Sequence, residues 1–160
     1  MKRSEIFNSP FELGVRMVYL LYALYPRKAD LQRLMYLDYA VIYSGDLGGP
    51  NSLHTPVPLR DVEYASRREI IEEGLYLMVM RSFLDVVASD AGIMFGLGEN
   101  GSALVELVNS NYATELAKRC AWVASEIGAR TDTDLEELFG THGVLWRAHY
   151  LGSEHVGGQE

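Results

Sequence analysis

Two short β-prone runs, Leu84-Asp85-Val86-Val87-Ala88 and Ile93-Met94-Phe95-Gly96-Leu97, are separated only by Ser89-Asp90-Ala91-Gly92, and three helical patterns precede them. Such a spacing leaves room for a tight antiparallel hairpin and nothing larger, because Asp and Gly supply the turn chemistry. The order helix, helix, helix, hairpin predicts a mainly α fold with a small β-hairpin, winged-helix-like, with additional helices after it.

The first helix is expected to start at Ser9-Pro10-Phe11-Glu12, where Ser9 caps, Pro10 occupies the first turn and Glu12 completes a capping box. Phe11, Val15, Val18, Tyr22 and Tyr25 recur at helical spacing and define the expected apolar face, widened by Met17, Leu20, Leu21 and Leu24, until Pro26 stops the helix. Asp30 caps a second helix from Leu31 to about Tyr43, with Gly45 as its stop. The segment 45–58 holds glycines and prolines too densely for regular structure. A third helix is expected from an Asp61 cap to about Phe83, with Tyr64, Ile71, Leu75 and Met78 in register and Gly74 permitting close approach of a neighbour. After the hairpin, helices are predicted over Ala103 to Val108, Ser110 to Ile127 and, short and acidic, Asp134 to Phe139. The natural division is a winged-helix-like unit with its following long helix over 1–128, and an acidic helix with a polar tail over 129–160.

At 160 residues with 48% apolar and 22% charged side chains, the chain can build a hydrophobic core and shows neither a disordered nor a membrane composition. Its N-terminus carries no secretory h-region, so a cytoplasmic protein is expected, and no apolar run is long enough to span a bilayer. The single cysteine, Cys120, reads as a buried structural thiol. The net charge of −8 opposes sequence-independent binding to phosphate backbones. Over 60–82, Arg60, Arg67, Arg68 and Arg81 face Asp61, Glu63, Glu69, Glu72 and Glu73, leaving net −1, and the hairpin adds only Asp85 and Asp90. A DNA-binding regulator that uses its third helix is therefore the weaker alternative.

Enzymatic chemistry needs a nucleophile with a base, a metal cluster or a phosphate cradle, and none stands out. His54, His142, His149 and His155 lack the helical spacing of a zinc site, so neither metal nor cofactor is expected. Gly45-Asp46-Leu47-Gly48-Gly49-Pro50 lacks the Gly-Lys-Ser/Thr ending of a phosphate loop, so it reads as a loop that positions Asp46 and His54 for packing or for a partner. Asp38, inside the apolar run 34–41, must find a partner, and a tyrosine hydroxyl, a backbone amide of the loop, Arg67 or Arg68 would serve. Tyrosines are abundant, at ten, and those left outside the core join Trp122 and Trp146 as natural anchors for a partner.

Several segments taken together, Asn8-Ser9-Pro10-Phe11-Glu12-Leu13-Gly14, Leu31 to Tyr39, Ser44 to Pro50, Ser52-Leu53-His54 followed by Pro56, and Arg67 to Leu75, resemble the middle-component proteins of prokaryotic ABC-type three-component systems, the defence operons related to Lamassu. One departure is Thr55, inserted where a plain Ser-Leu-His-Pro is expected. The resemblance implies a winged-helix accessory subunit without catalysis of its own, bridging an SMC/Rad50-like ATPase and an effector, often a nuclease, with DNA contact only within the complex. It brings no catalytic set. The residues expected to meet partners are Asp46, His54, Arg67, Arg68, Trp122 and Trp146, with Asp38 as a structural polar group.

Overall fold

A computed structural model describes residues 9–54 and 60–140, with the side chains of 60–66 left aside. Helix α1 spans Pro10–Leu24, α2 Leu31–Ile42, α3 Arg60–Met80, α4 Gly101–Leu107 and α5 Asn111–Glu126, with a hairpin of β1 (Leu84–Ser89) and β2 (Gly92–Leu97) between α3 and α4. Residues 132–140 form a last helix, α6. The fold is mainly helical, in the element order expected of a winged-helix-like protein.

The helix starts are set locally. The Glu12 amide donates to Ser9 Oγ at 3.2 Å and the Arg33 amide to Asp30 Oδ1 at 2.8 Å, satisfying donors that have no partner within the helix. Ser110 and Thr131 cap α5 and α6 in the same way. The third helix begins at Arg60, so Asp61, expected as its cap, lies within its first turn, and it ends at Met80, three residues short of the expected Phe83. Gly45 does not stop α2: the helix ends at Ile42, a 3-10 turn follows over Ser44–Leu47, and Gly48, at φ 78°, takes the left-handed position.

Of the apolar face expected for α1, Val18 and the widening residues Met17, Leu20, Leu21 and Leu24 are buried, while Phe11, Tyr22 and Tyr25 along one edge are not. Phe11 is 54% exposed and Tyr25 67%, whereas Leu13 is buried. This helix is apolar nearly all round, so periodicity alone does not choose its inward face; packing does. On α3 the expected Ile71, Leu75 and Met78 are all buried.

Helices α1 and α3 come backbone to backbone at two glycines. A Cβ on Gly74 would lie 2.5 Å from the Pro10 carbonyl oxygen and 2.7 Å from the Gly14 nitrogen, and one on Gly14 would lie 2.6 Å from the Gly74 carbonyl oxygen. Only hydrogen fits at either position.

In the hairpin, Leu84 pairs with Leu97 and Ser89 with Gly92, leaving Asp90-Ala91 as the turn. Asp90 and Ala91 keep negative φ, and Gly92 directly after them, at φ 108°, takes the positive dihedral that returns the chain to its partner strand. Ala29, between α1 and α2, exchanges both backbone hydrogen bonds with Phe95, at 2.9 and 2.8 Å, and so adds a one-residue third strand beside β2. That bridge anchors the base of the hairpin, where Leu84 and Phe95 are buried, while Val86, Val87 and Ile93 are exposed farther out. Helix α6 adds Leu135 and Phe139 to the core, the latter stacked on Tyr36 at 4.9 Å.

Candidate functional site

The polar residues singled out in the sequence fall into a buried cluster and a loop docked above it. At the centre, Asp38 of α2 is 1% exposed and accepts two hydrogen bonds from Arg16 of α1, Nε to Oδ1 and Nη2 to Oδ2, both at 3.0 Å. Arg67 of α3 adds Nη1 to Oδ2 at 3.4 Å. One carboxylate thus ties together three helices, the bidentate fork fixing orientation as well as charge. Burial alone would lower the pKa of the Arg16 guanidinium, but the Asp38 charge and hydrogen bonds outweigh it and hold it raised.

Arg67, expected both at a partner surface and as a candidate partner for Asp38, is 5% exposed, with its guanidinium turned inward onto Asp38. Arg16 was missed, although a charge inside the apolar run Leu13 to Leu24 is the same signal that drew notice to Asp38. The neighbouring Arg68 is exposed and reaches Gln32 of α2 at 3.5 Å. Asp46 is part-exposed on the 3-10 turn, where it accepts from Tyr39 Oη at 3.2 Å.

The described part of the loop after α2 is held by α5. Arg119 donates from Nε and Nη2 to the Asn51 carbonyl at 3.0 and 2.8 Å, and Ser44 Oγ donates to the Pro50 carbonyl at 2.8 Å. Arg119 is itself steadied by the Glu115 carboxylate one turn back. Gly49 lies on the face of Trp122, where a Cβ would come within 2.5 Å of the ring, so this part-buried indole is the platform on which the loop rests. His54 Nε2 meets Tyr112 Oη at 3.1 Å. Desolvation first, then the positive charges of Arg16 and Arg67, lower the His54 pKa to about 4, so the imidazole is neutral at pH 7. Burial raises that of Tyr112.

Asp46, His54 and Trp122 are therefore gathered along the loop and its seam with α2 and α5, Arg68 stands apart on α3, and Arg67 and Asp38 lie beneath. Trp146, His142 and His149 lie outside the described residues. Cys120 is buried in α5, and burial pushes its thiol pKa up, which keeps it protonated. Among the described residues no group of three or more His, Cys, Asp or Glu side chains is placed to hold a metal ion, and no helix is long and apolar enough to cross a membrane.

Chemically, the cluster locks helices together and the loop presents a rigid edge, which together define a helical scaffold that displays surface. The chain belongs to the family described as ABC-three component (ABC-3C) system Middle Component 2, whose model matches residues 6–148. A middle component is one part of a multi-component system, so it works with protein partners. Comparison with curated proteins finds no match, and neither does comparison with solved structures.

Proposed function

We propose that this protein is a non-catalytic accessory subunit of a cytoplasmic defence complex, seated between an SMC/Rad50-like ATPase of a Lamassu-related system and its effector, a nuclease in many such systems, in anti-phage or anti-plasmid immunity. The observation that carries this reading is the match to a middle-component family along nearly the whole chain. The geometry supports it: the most buried charged side chains among the described residues, Arg16, Asp38 and Arg67, are engaged with one another in holding helices. The partner-facing residues are the exposed or part-exposed Asp46, His54, Arg68 and Trp122, together with Trp146; Arg67 acts beneath them by fixing α3. A stable contact on this side would bury about 800 Å² per partner.

Co-expression of the chain with the proteins encoded beside it, followed by affinity purification and sizing, tests the reading. The expected result is a stoichiometric complex containing the ATPase. Absence of a complex, together with salt-sensitive duplex DNA binding by the isolated chain, would replace the accessory role with that of a DNA-binding regulator.

A further inference from the structure

On the face away from the docked loop, α3 and the first turn of α1 enclose an open groove of about 630 Å³. Its lining comes almost wholly from one stripe of α3, with Glu69, Glu72 and Glu73 along one half, Tyr76, Leu77 and Met80 along the other, and Pro10 of α1 as the opposite wall. At a rise of 1.5 Å per residue, this stripe runs for roughly 16 Å, about three helical turns.

Two properties set it apart from an ordinary solvated helix face. Met80 is 81% exposed and Tyr76, whose ring also meets Phe95 edge-on at 5.7 Å, is 39% exposed, with the part-buried Leu77 between them, so the end of α3 carries apolar surface that the described residues leave uncovered. The three carboxylates form no ion pair with any described residue, and no basic side chain lines the groove. The walls are also rigid, since the Gly14–Gly74 crossing fixes α1 against α3 immediately beside them. A rigid groove loses little conformational freedom on binding.

We infer that this groove seats an amphipathic helix of a partner protein, with its lysines or arginines over Glu69, Glu72 and Glu73 and its large apolar side chains over Tyr76, Leu77 and Met80. Helix-in-groove recognition combines apolar anchors with charges that fix direction, and here about one turn of apolar surface, Tyr76 to Met80, follows the glutamates on the same stripe. A second copy of this chain is the poorer occupant, because its net charge of −8 would meet the acidic half of the groove. The inference deepens the accessory-subunit reading and rests on it, giving one of the partners a chemical description.

The probe is a fluorescein-labelled synthetic helix of leucines at i, i+3, i+4 and i+7 with lysines on the flanks, titrated by anisotropy against the full chain. A leucine–glutamate helix of the same pattern serves as its counterpart. The leucine–lysine helix is expected to bind, the leucine–glutamate helix at least tenfold more weakly. Glu69→Lys with Glu73→Lys should weaken the first by at least tenfold and Met80→Asp by at least fivefold. Asp85→Lys with Asp90→Lys, the same change of charge placed on the hairpin, should leave it within twofold. No binding, or equal weakening by the hairpin pair, overturns the inference. So does a concentration-dependent dimer that Met80→Asp abolishes, which would assign the groove to a second copy. The two readings fail separately: a complex with the neighbouring proteins that ignores the groove variants sinks the groove assignment alone, and a groove that takes the peptide when no complex assembles sinks the accessory role alone.

Discussion

Replacing Asp38 by Asn removes one negative charge from a place where two guanidiniums remain, 2% and 5% exposed. The Arg16 fork, with both contacts at 3.0 Å, and the Arg67 contact at 3.4 Å put two positive charges within roughly 4 Å of the carboxylate, and at an effective dielectric of about 20 each pairing is worth about 4 kcal/mol of attraction. Desolvation offsets most of that in the intact cluster, but it persists when the carboxylate is lost, so the variant also carries uncompensated buried charge. The expected cost is about 3–5 kcal/mol, as for other buried pairs that lose one member. Because the penalty comes from what is left behind, Arg16→Met, Asp38→Leu and Arg67→Met together should be less destabilising than Asp38→Asn alone. Urea unfolding at pH 7, followed by far-ultraviolet circular dichroism with midpoints and slopes compared, measures both. A loss below about 1 kcal/mol for Asp38→Asn, or a triple variant as unstable as the single one, would refute the reasoning.

Gly74→Ala drives a methyl group into the Pro10 and Gly14 backbone, and an overpacking cost of about 1–3 kcal/mol is expected in the same urea assay; wild-type stability would mean that α1 and α3 do not cross at these glycines. His54 is held neutral down to about pH 4 while the unfolded chain takes up its proton near 6.5, so its contribution is complete above about pH 6.5 and is lost as pH falls toward 4. Full burial would put that loss near 3 kcal/mol, and partial exposure reduces it to about 1–2 kcal/mol. Unfolding midpoints between pH 7 and 4.5 should accordingly fall more steeply for wild type than for His54→Gln, and parallel curves would show that the imidazole is not desolvated. Gly49→Ala lifts the loop from Trp122, and in a Trp146→Phe background the emission should shift to the red; an unchanged spectrum would place the indole elsewhere.

Much of the scaffold was legible in the residues because it depends on partners within a few positions. Ser9 and Asp30 cap helices three residues ahead of their donors, Gly92 lets the hairpin turn, and Gly74 announced a close neighbour. The site was legible only in its members. Asp38 declared its need for a partner, but the choice of Arg16, 22 residues earlier, depends on how α1 rolls against α2, and a helix apolar on nearly every side does not encode that roll locally. Where the glycine- and proline-rich loop docks was equally hidden, since the clamp on Asn51 is Arg119, 68 residues farther on. Sequence by itself determined the elements, their order, their caps and the acidic balance, all consequences of short-range hydrogen bonding, backbone sterics and composition. Tertiary structure alone decided which faces are buried, which arginine answers Asp38, and that the unpaired glutamates of α3 flank an open apolar track, because burial and ion pairing are settled between segments that meet only when the chain is folded.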